Sequence, residues 1–266
     1  MRKWWLAIAV MPVFAAAPAS AWSQVELRGT QQDVLWLHST KTGAAAAPVA
    51  VLFLPGDGGY RGAAKEMATT IAASGYDVAV WDTKRYLTSF TAKSGGLAVT
   101  DVGPDFAAMR QALVPRERPV ILIGWSQGAA MSVVAAASAE GKAAFVGTIL
   151  LALPDAGALA WRWRDNFSYL TGGKPGVPHF DTEPYLSQMA PLPTAVIQAG
   201  RDRFTARAVS RRLLSHLRHP RHLRTLEDAS HDFGPDRSAM YRELSQAVHW
   251  IERHAHPAAR PQAATR

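Results

Sequence analysis

Residues 121–137 read "ILIGWSQGAAMSVVAAA". An apolar run of strand length stops at Gly124, a serine stands between two glycines, and small residues continue as if in a helix. A purely structural segment gains nothing from a hydroxyl at Ser126, where an apolar residue would serve better. Gly124-Trp125-Ser126-Gln127-Gly128 has the form G-x-S-x-G, and its setting of strand, turn and helix is the one that lifts a serine to the top of a sheet. The flanking glycines have a steric reason: strand and helix pass so closely that a Cβ on either would clash. Such a turn also brings the first N–H groups of the new helix to where negative charge develops in acyl transfer. The competing reading is a serine that caps an ordinary helix.

Outward from this stretch the chain alternates. Gln24–Thr40 holds the pattern Val34-Leu35-Trp36-Leu37-His38, which predicts early antiparallel strands. Val49–Leu54, Tyr76–Trp81, Val120–Ile123, Phe145–Leu153, Thr194–Ala199 and His222–Leu226 are runs of strand length, and the first is apolar throughout. Between them, helices are expected over 61–74, 100–113, 127–139, 206–217 and 236–254. Strands alternating with helices predict βαβ units and a mostly parallel sheet with helices on both faces. Residues 155–191 break the rhythm with aromatic, Gly- and Pro-rich sequence between two late strands. A connection of that length reads as a cap insertion, the alternative being an excursion that covers the sheet edge.

A nucleophilic serine needs a base, and the base needs a group to orient it. In this strand–turn–helix architecture the chain order is serine, acid, histidine. Asp202 follows the Thr194–Ala199 strand and is the expected acid, with Asp155, also behind a strand, as the alternative. His231 lies between the last short strand and the last helix, the expected place of the base. The backbone N–H of Gln127 is one expected oxyanion donor. The second comes from the glycine-rich loop Leu54-Pro55-Gly56-Asp57-Gly58-Gly59-Tyr60, from the N–H of Asp57 or of Gly58. Tyr60, Trp125, Trp161 and Trp163 are expected to line the substrate site. His216, His219 and His222 stand among arginines, and read as a solvated basic surface rather than a metal site. The acyl-transfer chemistry calls for no metal and no organic cofactor.

The bulk numbers set the surroundings. The 266 residues, 48% apolar and 19% charged, suffice for one full α/β core. The formal charge of +8 favours an anionic neighbour. "MRKWWLAIAVMPVFAAAPASA" has a basic start, an apolar stretch and a small-x-small end, the three parts of a secretory leader cleaved after Ala21. Loss of Arg2 and Lys3 brings the charge to +6. The expected division is therefore 1–21 as leader, 22–254 as the hydrolase domain with its cap-like part at 155–191, and 255–266 as a disordered tail. With no cysteine, an exported chain relies on its core alone. Export to the periplasm argues against nucleic acid as a partner. The basic run 201–224 reads either as a contact with anionic lipid or as a solvated helix face.

Ser126, Asp202 and His231, in this order, resemble the α/β-hydrolase superfamily. The segments Pro55–Tyr60, Trp81–Leu87 and Gly124–Ala129 resemble more narrowly the periplasmic VirJ/AcvB virulence proteins. That resemblance implies an exported serine hydrolase acting on the aminoacyl ester of lysyl-phosphatidylglycerol at the membrane surface. It also implies, as an older view of the family, a secretion-system partner. A general periplasmic carboxylesterase, and a non-catalytic partner-binding protein on a hydrolase scaffold, are the alternative readings.

Overall fold

A computed structural model describes residues 19–41, 47–162 and 176–255. The expected leader up to residue 18, Trp163 and the tail beyond 255 lie outside these residues. The main sheet has eight strands: β1 (Ser20–Leu27), β2 (Thr30–Leu37), β3 (Ala50–Leu54), β4 (Asp77–Trp81), β5 (Val120–Trp125), β6 (Gly147–Leu151), β9 (Thr194–Ala199) and β10 (Arg221–Leu226). Their order across the sheet is β1-β2-β4-β3-β5-β6-β9-β10. β1, β2 and β4 pair antiparallel, and every pairing from β4 to β10 is parallel. β1 takes in Ser20 and Ala21, which pair with Leu37 and Trp36, so the ladder begins before the expected cleavage point.

The strand alternation sorts the core into two faces. Val51 and Phe53 of β3 point to one side, where α1 (Ala63–Ala73) and α8 (Arg237–His254) bury Met67, Ile71, Leu244 and Ile251. Ala50, Leu52 and Leu54 point to the other, beneath α2 (Thr83–Ser94), α3 (Val99–Leu113) and α4 (Gln127–Ala137). Farther along this second face α7 (Arg207–Ser215) packs Leu213 against Leu150, Val196 and Val133. α4 ends at Ala137, two residues short of the expected 139, and a short α5 (Ala139–Ala144) that was not expected follows it.

Helix α2 was not expected at all. Its buried side chains Tyr86, Leu87 and Phe90 form one narrow stripe, amid threonines and basic residues. Asp82 caps its start and Gly95, at φ 79, ends it. The excursion between β6 and β9 contains a two-stranded sheet, β7 (Ala156–Ala158) with β8 (His179–Asp181), and a one-turn α6 (Glu183–Leu186).

Candidate active site

Ser126 stands between β5 and α4 at φ 55, ψ −120, a conformation that costs a non-glycine residue about 1–3 kcal/mol. The surroundings impose it. The Ser126 N–H donates to the Leu151 carbonyl of β6 at 2.9 Å. A Cβ on Gly124 would fall 2.3 Å from the Gly128 carbonyl oxygen, and one on Gly128 would fall 2.2 Å from that of Leu54. Both glycines are therefore required by close backbone approach.

The ends of β9 and β10 deliver the other two groups. The Gly200 N–H donates to Leu226 O at 2.7 Å and the Arg201 N–H to Ala229 O at 2.9 Å, so the loop of Asp202 is laced to the loop of His231. Phe233, fully buried at φ 55, pins the His231 loop to the core. As a result His231 Nδ1 lies 2.7 Å from Asp202 Oδ2, and His231 Nε2 lies 2.8 Å from Ser126 Oγ. The Asp202 side chain is only 2% exposed and that of His231 15%. The second Asp202 oxygen accepts the N–H groups of Phe204 at 2.8 Å and Thr205 at 3.3 Å. Asp202 is thus held as an acceptor on both oxygens, which suits an ionised carboxylate facing an imidazole. Asp155, the alternative acid, is exposed and lines a different cleft with Asp181, Glu183, Arg212 and His216.

No backbone acceptor takes the N–H of Gln127, Asp57 or Gly58 among the described residues. The 56–60 loop borders the serine: a Cβ on Gly56 would lie 3.3 Å from Ser126 Cβ and 3.7 Å from its Oγ. The buried side chain of Gln127 has a task of its own. Its amide nitrogen donates to Ala158 O and its oxygen accepts the Ala158 N–H, both at 2.9 Å. This two-way pairing ties β7 to the first turn of α4, next to the serine.

The aromatic residues expected around a substrate divide. Trp125 donates its indole N–H to the His231 carbonyl at 3.2 Å, and so supports the His231 loop. Trp161 carries the Lys84 ammonium 4.2 Å above its ring, and its backbone N–H donates to Thr91 Oγ1 of α2 at 2.8 Å. Tyr60 packs its half-buried ring against the core beside α1, and burial pushes its hydroxyl pKa up. Phe204 has no counterpart in the sequence reading: it is 46% exposed and sets its ring edge-on to His231 at 4.7 Å. The Arg203 guanidinium lies 4.7 Å from the centre of the Phe204 ring. Among the described residues there is no group of three or more side chains suited to hold a metal ion, and no helix long and apolar enough to cross a membrane.

This strand order, with a serine at a strained turn behind β5, is that of the α/β-hydrolase fold, and solved structures share it. Residues 48–157 match the family described as bacterial virulence protein (VirJ). The esterase domain of a Rhodothermus marinus protein aligns with a TM-score of 0.61 at 16% identity, over 88% of this chain and 99% of that one. A membrane phospholipase A, described as a bacterial virulence factor, aligns with a TM-score of 0.62 at 15% identity, over 88% and 87%. A dienelactone hydrolase from Anabaena variabilis aligns with a TM-score of 0.62 at 16% identity, over 88% and 99%. The search of curated proteins finds no match.

Proposed function

We propose that the protein is an exported serine ester hydrolase of the periplasm, with Ser126, His231 and Asp202 as its catalytic triad. The observation that carries this reading is the unbroken hydrogen-bonded chain from Asp202 through His231 to the hydroxyl of Ser126. His231 Nε2 takes the Ser126 proton as Oγ adds to the ester carbonyl carbon, and the carbonyl electron pair moves onto oxygen. Asp202 stabilises the imidazolium that forms. The N–H of Gln127, with that of Asp57 or Gly58, receives the oxyanion. Collapse expels the alcohol, protonated by His231, and leaves an acyl group on Ser126. Water, deprotonated by the same histidine, releases the acid.

The substrate in this reading is the aminoacyl ester of lysyl-phosphatidylglycerol, so that lysine leaves as the acid and phosphatidylglycerol as the alcohol. The resemblance to the VirJ family supports it over residues 48–157. So does the rim of the site, where exposed Phe204 and Arg203 pair an apolar lip with a cation beside His231. An apolar ring beside a cation suits the acyl-chain edge and the anionic phosphate of a phospholipid surface. The test compares the chain from Trp22 with its Ser126→Ala variant, on vesicles containing lysyl-phosphatidylglycerol and on a short-chain nitrophenyl ester. Lysine release by the wild type alone is expected, and the variant should lose roughly 10⁴–10⁶ in kcat. Nitrophenol without lysine would keep the hydrolase and discard the lipid. Neither product, with Ser126 also unlabelled by a fluorophosphonate, would sink the catalytic reading and favour a partner-binding role in secretion or envelope assembly.

A further inference from the structure

We propose that Asp82 is a positioning residue for this ester hydrolysis, its carboxylate holding the 56–60 loop where it offers the second oxyanion donor. The assignment rests on the reading above and names the device that keeps one half of the oxyanion site in register. The loop is a tight turn beside the nucleophile. Gly59 donates its N–H to Gly56 O at 3.0 Å, takes φ +76, and is followed by Tyr60, whose N–H donates to Asp82 Oδ2 at 2.8 Å. A Cβ on Gly59 would lie 3.0 Å from the same carboxylate oxygen, so the loop closes directly over Asp82.

The other oxygen, Oδ1, accepts the Arg85 N–H at 3.1 Å as the N-cap of α2. One carboxylate thus joins a glycine-rich turn to a helix anchored in the core. α2 is fixed because Tyr86, Leu87 and Phe90 are buried in the second core face, and because the Tyr86 hydroxyl donates to Asp105 Oδ2 at 2.6 Å. No other side chain is seen to bond the backbone of residues 56–60 among the described residues. Without the Tyr60 bond, the turn would keep its internal 56–59 hydrogen bond but lose its registration against Ser126.

A helix cap alone would also explain an aspartate here, and the two roles separate by chemistry. Serine caps a helix as well as aspartate does, but has one short oxygen and cannot serve the Tyr60 N–H as well. Asp82→Ser should therefore keep α2 and release the loop. The expected result on the nitrophenyl ester is a fall in kcat of about 10–100-fold, with KM within about twofold, because a displaced donor is missed only in the transition state. Binding of a boronic acid, whose tetrahedral adduct on Ser126 presents a charged oxygen to the same donors, should weaken in parallel. Asp82→Asn, which keeps an acceptor oxygen, should recover part of the rate. Gly95→Ala strains the far end of α2 and should leave kcat alone, so that loss of helix stability is scored separately.

Asp82→Ser with the wild-type kcat would overturn the assignment, as would a loss in kcat matched by Gly95→Ala at equal destabilisation. An inactive wild type that no fluorophosphonate labels would overturn the ester-hydrolase reading and this assignment with it. An active wild type with an unimpaired Asp82→Ser overturns the assignment alone.

Discussion

The two sides of the Ser126 hydroxyl are built on different principles. Behind it, the elbow is set by backbone sterics: Gly124 and Gly128 let β5, α4 and the end of β3 approach until no Cβ would fit. In front of it, the 56–60 loop and β7 are set by side chains reaching across the chain, Asp82 to Tyr60 and Gln127 to Ala158. A steric elbow can scarcely move, since anything that displaces it meets packed backbone. A loop whose one side-chain hydrogen bond to the backbone comes from Asp82, with the Tyr60 ring packed on the core, can be retuned by one substitution. The difference places Ser126 on the rigid part of the molecule and the 56–60 loop on the adjustable part, which is where variation among loops alters function on a constant fold.

The hardest way to break this contrast is at the elbow. Gly128→Ala sets a Cβ against the Leu54 carbonyl, where neither partner is a flexible side chain. It is expected to destabilise the fold by about 3 kcal/mol or more. In whatever fraction folds, kcat/KM should fall by ~10², because the displaced element carries Ser126, the proposed nucleophile. Denaturant unfolding combined with fluorophosphonate titration of folded sites measures both. Full stability in Gly128→Ala would show that the elbow is not held by close approach.

Gln127→Ala probes the other side more gently. It removes both partners of Ala158, leaving its buried N–H and carbonyl unpaired at a cost of about 1–3 kcal/mol. The backbone N–H of residue 127 stays. If that N–H is the oxyanion donor, the variant should lose roughly tenfold or less in kcat, against the ~10²–10³ expected when a donor is lost. Hydrogen exchange at Ala158 should rise in the same variant. A rate loss as large as that of a missing donor would mean that the side chain, not the N–H, carries the contribution of Gln127.

What could be read in advance follows the same division. The elbow was legible because its glycines are two residues from the serine and their spacing has one steric meaning. Asp202 and His231 were legible because each sits in the first loop past a strand, on the edge where an α/β sheet gathers its functional groups. The interactions in front of the serine were not. Asp82 meets Tyr60 across 22 residues and Gln127 meets Ala158 across 31, and nothing in the local pattern of either residue announces a distant backbone partner. α2 escaped notice because its apolar stripe is narrow and its threonines favour strand. The capping aspartate and the terminal Gly95 were the available signals. Phe204 was hidden by the arginines around it.

The last contrast lies within a single strand. β4 begins at Asp77 and delivers Asp82 just past its other end, so two carboxylates share one element and differ in which edge of the sheet they occupy. Asp77 is a structural group. Its side chain accepts the Ser39 N–H at 2.8 Å and pairs with Arg118 at 2.8 Å, far along the strand from the serine. Burial acts to raise its pKa, but the Ser39 hydrogen bond and Arg118 outweigh burial and leave it below the usual carboxylate range. A carboxyl whose pKa is depressed by folding stabilises the native state above the unfolded-chain pKa, and that contribution fades as pH falls through the folded value. Asp77→Asn should therefore cost about 1 kcal/mol or less at neutral pH, with the difference from wild type vanishing in acid. Because the group stands at the edge away from Ser126, Asp202 and His231, kcat should not change. Unfolding midpoints across the acid range, paired with turnover at neutral pH, test both halves. A stability gap that persists below the folded pKa would assign the effect of Asp77 to packing rather than charge, and a change in kcat would show that the two ends of β4 are coupled.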